Sequence, residues 1–273
     1  MHHMNKKLIA IDLDGTTLNN ESEIGKYTEE VFTEVAKKGH LICIVTGRSY
    51  RNSQRFYRQL QLNTPMVNFN GALCHHPHDH QWDASYKQTL DKHIALSMLQ
   101  MNEFEHVKMI AAETIDAVYM DRDFIPYPEF FNSQNENAQP FDEQSLNEDP
   151  ISVSIFTHND HAHNLIKDRI LSLVDNKVEV RTWGGFAPCL ELVQAGVQKA
   201  MGVERIAEYY RIPRQDILAF GDEDNDYEMI QYAGHGVAMA NAIMPIKKIA
   251  DDQTPFTNAE QGVARYLAEY FNL

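Results

Sequence analysis

The segment from Lys7 to Leu18 constrains the fold more than any other part of the sequence. It begins with a short apolar run, residues 8–11, and Asp12, Asp14 and Gly15 follow that run closely. A short apolar run bounded by turn residues predicts a buried strand. Because side chains alternate between the two faces of a strand, Asp12 and Asp14 are expected to point to the same side.

Two carboxylates at the end of a buried strand are difficult to explain by structure alone. Close like charges repel each other unless a cation or a proton lies between them. Open α/β sheets place ligands at the carboxyl ends of their parallel strands, so the pair indicates a metal site or a proton-transfer pair. The structural alternative is a tight turn capped by two aspartates, and an isolated Asp-x-Asp-Gly sequence would favour that alternative.

Strands and helices alternate at both ends of the chain, and this pattern predicts parallel βαβ units. In the N-terminal part, residues 8–11, 40–45 and 66–69 read as strands, and residues 24–38 and 51–62 read as helices. In the C-terminal part, strands are predicted over 216–220 and 235–239, and helices over 199–210, 227–232 and 260–271. The prediction is a Rossmann-like α/β core with a parallel sheet, formed from residues 1–84 and 190–273.

The middle of the chain has a different pattern and predicts an inserted α+β domain over residues 85–189. Alternating or short apolar runs predict mostly antiparallel strands over 108–112, 117–120, 151–156, 178–181 and 189–193. Helices are predicted over 91–104 and 161–174, and the polar stretch 129–149 is predicted to be a surface loop or a weak helix.

Composition excludes several classes of partner. The formal net charge of −15 argues against nucleic acid and against anionic membrane surfaces. No apolar run reaches membrane-spanning length, no signal-peptide pattern is apparent, and the odd number of cysteines, three, fits a reducing compartment. These observations predict a cytoplasmic protein, and nothing in the sequence implies an obligate protein partner.

Polar side chains follow three separate apolar strands, and a single lysine begins a helix between them. These residues are Asp12 and Asp14, Thr46 and Gly47, Asp222 and Asp226, and Lys199. Together they supply carboxylates, a hydroxyl group and a cation at one expected sheet edge. That set suits phosphoryl transfer, in which charge on the phosphoryl oxygens is met by a cation and hydrogen-bond donors.

In these motifs the chain resembles the haloacid dehalogenase superfamily, and within it the Cof-type phosphatases with a type-IIB cap. The matching segments are Asp12-Leu13-Asp14-Gly15-Thr16, Val45-Thr46-Gly47-Arg48, Gly196-Val197-Gln198-Lys199 and Gly221-Asp222-Glu223-Asp224-Asn225-Asp226. Asn70-Gly71-Ala72 and the segments 236–242 and 262–264 are also similar to Cof-type sequences. The motifs cover both ends of the chain, whereas the cap is supported by its position and by the order of its elements.

The resemblance implies a phosphatase that forms an aspartyl-phosphate. Asp12 would be the nucleophile, and Asp14 would protonate the leaving group and then deprotonate the attacking water. Thr46 and the backbone N–H groups of Leu13 and Gly47 would donate to the phosphoryl oxygens. Lys199 would neutralise charge, although a lone lysine can equally be a solvated helix residue, and Asn225 would orient the phosphate.

The implied cofactor is Mg²⁺, which prefers oxygen ligands. Asp12 and Asp222 are the expected carboxylate ligands, the backbone carbonyl of Asp14 would also reach the ion, and Asp226 would be a ligand or would orient one. Arg48 would contact the substrate or pair with a carboxylate. The loop 75–80 contains four histidines, which suit a transition-metal site or an ordinary boundary loop.

The expected substrate is a small phosphorylated metabolite, such as a sugar phosphate or a nucleotide-like cofactor. One alternative is a phosphomutase acting on sugar phosphates, which returns the phosphoryl group to an organic hydroxyl. Another is a non-catalytic sensor that binds a phosphorylated metabolite. The presence of both Asp12 and Asp14 argues against the sensor, because a binding module does not need two carboxylates at this position.

Overall fold

The computed structural model describes residues 5–103, 105–122, 138–175, 177–182 and 188–273. These residues form two compact units, one drawn from 1–47, 53–86 and 198–273 and the other from 48–52 and 87–197. Among those residues, no helix has both the length and the apolar character that crossing a bilayer requires.

The N-terminal part begins with the predicted alternation of strands and helices. Its elements are β1 (Leu8–Ile11), α1 (Lys26–Lys37), β2 (Leu41–Ile44), α2 (Tyr50–Gln59), β3 (Met66–Asn68), β4 (Leu73–His75) and β5 (Tyr86–Lys87). Helix α1 buries Val31, Phe32 and Val35, which lie at helical spacing on one face. It ends before Gly39, whose φ of +90° is typical of the residue that follows a helix.

The middle part contains most of the antiparallel strands. Its elements are α3 (Lys92–Ser97), β6 (Val107–Glu113), β7 (Val118–Met120), β8 (Ala138–Pro140), β9 (Ser152–Thr157), α4 (His163–Val174), β10 (Val178–Thr182) and β11 (Cys189–Gln194). The strands form one sheet in the order β10-β11-β9-β6-β7-β8. All of its pairings are antiparallel except that of β7 with β8.

The C-terminal part returns to parallel strands separated by helices. Its elements are α5 (Lys199–Tyr210), β12 (Ile217–Gly221), α6 (Tyr227–Tyr232), β13 (His235–Ala238), α7 (Met244–Ile249), β14 (Asp252–Gln253) and α8 (Gly262–Phe271). Strands from both ends of the chain combine into one parallel sheet with the order β14-β13-β12-β1-β2. The predicted α/β core with a parallel sheet, and an α+β insertion, is confirmed.

The register of this sheet brings three strand ends together. Ile11, the last residue of β1, lies beside Ile44 at the end of β2 and beside Phe220 near the end of β12. Parallel strands in register must deliver the residues that follow them to the same edge. The polar residues that follow β1, β2 and β12 are therefore neighbours through strand pairing, although they lie far apart in the sequence.

Some details of the middle part differ from the sequence predictions. Of the stretch 129–149, residues 129–137 lie outside the described residues, and residues 138–140 form strand β8 instead of a loop or helix. All three residues of β8 are exposed, so no alternation of buried apolar residues predicts a strand here. The strand forms through its pairing with β7. Strand β11 pairs with β9 and β10 and belongs to the second unit. That unit extends to residue 197, whereas the sequence predicted that the inserted domain ends at residue 189.

The histidines of the loop 75–80 do not come together as a metal site. Within the described residues, the side chains that could jointly hold an ion are three aspartates. His75 is largely buried in β4, and its Nε2 lies 3.0 Å from Oδ1 of Asn68. Asn68 donates from Nδ2 to Ser53, so its Oδ1 is the acceptor and His75 donates from Nε2.

We predict that His75 makes the protein sensitive to acid. Burial, followed by the effect of His76, lowers the pKa of His75 to about 4. An unfolded chain takes up this proton near pH ~6.5, so the free energy of unfolding should fall by up to about 3 kcal/mol as the pH drops from ~6.5 to ~4. His75→Gln keeps an N–H donor and does not titrate, and it should flatten this pH dependence in urea unfolding.

The matched control is His78→Gln, which removes an exposed histidine of the same loop. It leaves the contact of His75 with Asn68 in place and should not flatten the pH dependence as His75→Gln does. Equal pH slopes for the His75→Gln variant and the unsubstituted protein would contradict the assignment.

Candidate active site

The site is built on the turn that follows β1. Asp12 is 5% exposed, and residues Leu13–Thr17 form a tight turn closed by the hydrogen bond that Leu18 N–H donates to Leu13 O, at 2.8 Å. Gly15 has φ +73°, and a Cβ at this position would lie 2.2 Å from Oδ2 of Asp222. Glycine is therefore required at position 15 for two reasons: the backbone has a positive φ, and the Asp222 carboxylate leaves no room for a Cβ.

The turn that follows β1 contains Asp14. Strand β1 ends at Ile11, so the alternation of side chains that predicted Asp12 and Asp14 on one side does not extend to Asp14. The carboxylate of Asp14 is not a member of the aspartate cluster described next. Its predicted contribution to a metal site rests on its backbone carbonyl group and stays a prediction.

Three carboxylates form the centre of the site. One oxygen from each of Asp12, Asp222 and Asp226 lies within 4.8 Å of the others. Asp226 comes from a short 3₁₀ turn, Asp224–Asp226, after β12, and its approach requires Gly221, where a Cβ would lie 2.4 Å from Cγ of Asp226. Strand register and two glycines thus place these carboxylates together.

Lys199 provides the positive charge in this cluster. Its side chain is fully buried at the start of α5, and its Nζ donates to Oδ1 of Asp12 and to Oδ1 of Asp226, both at 2.7 Å. Burial alone would lower the pKa of Lys199, but the two carboxylates raise it above its ordinary value. The alternative of a solvated helix lysine is wrong for this residue.

The cluster still carries excess negative charge. The pKa of Asp12 is raised to about 7, chiefly by burial, with Lys199 opposing the rise and Asp226 and Asp14 adding to it. Burial, together with Asp226 and Asp12, raises the pKa of Asp222 well above its ordinary value. One ammonium group cannot balance three carboxylates, of which Asp12 and Asp226 are buried and Asp222 is half-buried, so this donor set of oxygens fits a hard divalent cation.

The hydrogen bonds distinguish the roles available to the aspartates. Asp226 is engaged through both oxygens, since Oδ1 accepts from Lys199 and Oδ2 accepts from the backbone N–H groups of Asp222 and Glu223 at 2.9 and 3.2 Å. Asp12 uses Oδ1 for Lys199, and Asp222 uses Oδ1 to accept from Thr16 at 2.7 Å. Oδ2 of Asp222 accepts none of these hydrogen bonds and is better placed to bind an ion, whereas Asp226, engaged through both oxygens, is better suited to orienting the turn.

The predicted phosphate-binding residues lie on neighbouring turns of the same unit. Thr46 is buried after β2, and its backbone N–H donates to Val67 O at 2.9 Å, so the contact of its hydroxyl with a phosphoryl oxygen stays a prediction. Asn225 donates from Nδ2 to Oδ1 of Asn70 at 2.9 Å. Asn70 belongs to the segment Asn70-Gly71-Ala72, whose sequence alone indicates no role in the site.

Two further predicted contacts are less defined by the geometry. Leu13 is buried, and its backbone carbonyl closes the turn after β1. Arg48 is buried and belongs to the second compact unit, so its contact with substrate stays a prediction.

A family model described as haloacid dehalogenase-like hydrolase matches residues 9–267. The chain belongs to this family. The chain is 39% identical over 267 residues to the 5-amino-6-(5-phospho-D-ribitylamino)uracil phosphatase YitU of Bacillus subtilis, with 97% of this chain and 98% of the relative covered.

Solved structures agree with this assignment. A haloacid dehalogenase-like hydrolase from Bacteroides thetaiotaomicron superposes with a TM-score of 0.80 at 26% identity, over 98% of this chain and 100% of that chain. The subclass IIB sugar phosphatase BT4131 superposes with a TM-score of 0.78 at 22% identity, over 98% of this chain and 99% of that one, and shows the same fold. The predicted family, with its cap, and the enzyme class, a phosphatase of phosphoric monoesters, are confirmed.

We predict that Lys199 stabilises the folded protein by compensating buried carboxylates. Lys199→Met leaves Asp12 and Asp226 without this partner and should lower the free energy of unfolding by about 3–5 kcal/mol, because an uncompensated buried charge is costly. Denaturant titration in the absence of divalent cations measures this change.

Lys37→Met is the matched control, since it removes an exposed ion pair with Glu34. Its expected change is below about 1 kcal/mol. A loss for Lys199→Met as small as that of the control would show that the lysine does not carry the charge balance.

Proposed function

We propose that this protein is a Mg²⁺-dependent phosphatase that hydrolyses phosphomonoesters of small metabolites through an aspartyl-phosphate on Asp12. The observation that carries the proposal is the contact of Lys199 with Asp12 and Asp226 beside Asp222, at 2.7 Å for both hydrogen bonds. This contact fixes a buried carboxylate next to a cation and leaves its second oxygen available for attack.

Asp12 is the proposed nucleophile. Its Oδ1 is held by Lys199, and Thr17 Oγ1 donates to the Asp12 backbone carbonyl at 2.6 Å, so both its side chain and its backbone are fixed. Oδ2 would attack phosphorus and the substrate alkoxide would leave, giving an acyl phosphate that water then hydrolyses. Burial favours the neutral carboxyl, and the nucleophile must be ionised, so positive charge near Asp12 is essential.

Mg²⁺ fits the oxygens of Asp12 and Asp222 and, when bound, would supply positive charge to the nucleophile and the phosphoryl group. Thr16 holds Asp222 by its hydrogen bond to Oδ1, and Asp226 holds the backbone of the same turn. These contacts orient the proposed ligand atoms before an ion binds, which reduces the reorganisation that binding requires.

Asp14 is the proposed general acid and base. It lies in the turn beside Gly15, whose carbonyl oxygen accepts a hydrogen bond from Asn241 Nδ2 at 2.7 Å. Asn241 in turn accepts from the backbone N–H of Asn258 at 3.0 Å, so the turn is tied to the C-terminal part of the chain. A fixed turn would hold the Asp14 carboxyl near the leaving oxygen, where it can donate a proton and later accept one from water.

The phosphoryl group would be held by donors from separate turns. We assign these contacts to the ammonium of Lys199, the hydroxyl of Thr46, the backbone N–H groups of Leu13 and Gly47, and the carboxamide of Asn225. Donors that are fixed before the substrate binds stabilise the charge that develops on the phosphoryl oxygens.

The relative named for 5-amino-6-(5-phospho-D-ribitylamino)uracil makes that compound the first substrate to test, with sugar phosphates as comparison compounds. Identity of 39% across nearly the whole chain supports the comparison. Release of inorganic phosphate without a diphosphorylated activator would favour the phosphatase over a phosphomutase.

We predict that phosphate release requires Mg²⁺ and is lost reversibly on chelation. Asp222→Asn removes one proposed ligand charge and should raise the Mg²⁺ concentration for half-maximal activity by ~10-fold or more. Asp224→Asn is the matched control, because this exposed aspartate of the same turn is not in the cluster, and its Mg²⁺ dependence should be unchanged. Full activity in a chelated preparation would overturn the metal requirement.

We also predict that Asp14→Asn impairs hydrolysis according to the leaving group. General acid catalysis contributes about 10²–10⁴-fold, and an alkoxide from a sugar needs the proton more than a phenolate does. The variant should therefore lose more of its kcat with a sugar phosphate than with an aryl phosphate. Equal losses on the two substrates would argue against the acid role of Asp14.

A further inference from the structure

We propose that Asn70 is a positioning residue that couples the Thr46–Gly47 turn to Asn225 and thereby sets the affinity of the phosphoryl site. The inference rests on the proposed function, because that function places Thr46, Gly47 and Asn225 around the phosphoryl group. Asn70 itself is 2% exposed and follows strand β3 in the parallel-sheet unit.

The backbone around Asn70 is unusual. Phe69, Asn70 and Gly71 have φ values of +50°, +54° and +105°, so three consecutive residues adopt the left-handed region. Asparagine and glycine tolerate this region, whereas it is unfavourable for a bulky residue such as phenylalanine. Such a conformation is strained and persists where surrounding contacts determine it.

The contacts of Asn70 connect two turns of the site. Its backbone N–H donates to Thr46 O at 3.2 Å, and its Oδ1 accepts from Asn225 Nδ2 at 2.9 Å. Its carboxamide also lies over Gly47, where a Cβ would be 3.1 Å from Oδ1 and 3.2 Å from Nδ2 of Asn70. One side chain therefore touches both segments that are proposed to hold the phosphoryl oxygens.

The same strained turn abuts the helix that begins with Lys199. A Cβ on Gly71 would lie 2.2 Å from the carbonyl oxygen of Gln198 and 3.2 Å from the backbone nitrogen of Lys199. Tyr86 holds Gly71 in place by donating from its hydroxyl to Gly71 O at 2.9 Å. The backbone of Gly71 thus lies against the backbone at the start of α5. A residue with a side chain at position 71 would prevent this close approach.

The hydrogen bond from Asn225 has a chemical consequence. A carboxamide carries two N–H donors, and Asn70 Oδ1 accepts one of them. This bond fixes the plane of the Asn225 carboxamide, so that the second N–H keeps a defined direction toward a phosphoryl oxygen. Because Asn70 is neutral, it orients the donor without adding repulsion to an anionic ligand.

The test uses Asn70→Gly, because glycine adopts the observed φ without strain and lacks only the carboxamide. Inorganic phosphate, in the presence of Mg²⁺, is the binding probe, and kcat and KM are measured with one phosphomonoester. Loss of one oriented hydrogen bond should weaken phosphate binding about 10-fold. KM should rise with it, while the melting temperature of the protein changes little.

A double-mutant cycle with Asn225→Ala identifies the route of action. If Asn70 acts through Asn225, the Asn70→Gly/Asn225→Ala protein should bind phosphate as well as Asn225→Ala alone does. Independent, multiplicative losses would overturn the inference. Asn70→Ser, whose shorter side chain lacks the reach to Asn225, provides a second reading of the same cycle if the glycine variant does not melt cooperatively.

Asn272→Gly is the matched control, because Asn272 is an exposed asparagine with φ +51° at the end of α8. It makes the same substitution at a left-handed position outside the site and should leave phosphate binding and kinetics unchanged. A lowered melting temperature of Asn70→Gly with unchanged phosphate affinity would show a structural role only and would overturn the inference.

The outcomes separate this inference from the proposed function. If the unsubstituted protein hydrolyses phosphomonoesters and Asn70→Gly matches it in phosphate affinity and KM, the inference fails and the phosphatase stands. If phosphate binds and the cycle shows coupling but no phosphomonoester is hydrolysed, the inference holds and the proposed function fails. Absence of phosphate binding by the unsubstituted protein overturns the inference as well.

Discussion

The structure depends on the charge balance around Lys199. This fully buried ammonium group lies 2.7 Å from Asp12 and from Asp226, and without it these two buried carboxylates would lie beside the half-buried Asp222 without its positive charge. Burial, followed by the neighbouring carboxylates, raises the pKa values of Asp12 and Asp222, and the lysine offsets only part of this effect. The negative charge that remains favours the binding of a further cation. The same charge balance therefore affects both the stability of the fold and the proposed chemistry.

The register of the parallel sheet brings the residues of this cluster together. Strands β1, β2 and β12 are paired so that their carboxyl ends coincide, and the turns after them supply Asp12, Thr46 and Asp222. Close approach between those turns then depends on residues without a side chain, since a Cβ on Gly15 or Gly221 would collide with an aspartate. Backbone geometry therefore decides which carboxylates meet, and the side chains act within that frame.

Sequence rules predicted the parts that follow from strand polarity. Asp12, Thr46, Lys199 and Asp222 were expected at one sheet edge because parallel strands present their carboxyl ends together, and the aspartate cluster at this edge agrees with that rule. The side predicted for Asp14 stays a prediction, because the strand ends before this residue and the alternation that predicted it does not extend into the turn. The orienting role of Asp226 needed the hydrogen bonds of both its oxygens, which no spacing in the sequence reveals.

Other features lay outside what local sequence encodes. Strand β8 is exposed on all three residues and owes its form to pairing with β7, so no periodic pattern marked it. Asn70 belongs to a segment that resembles Cof-type sequences, yet its contacts with Thr46 and Asn225 join residues far apart in the chain. Long-range contacts of this kind depend on how the strands pair in the folded protein. Local sequence patterns do not contain that information.

The most direct measurement of the central claim is peptide mass spectrometry of the protein quenched in acid during turnover of a phosphomonoester with Mg²⁺. The account predicts a phosphoryl group on the peptide that contains Asp12, and no such adduct in the Asp12→Asn protein treated in the same way. Steady turnover with a phosphoryl group on a different residue, or persistence of turnover in the Asp12→Asn protein, would contradict the assignment of Asp12 as the nucleophile.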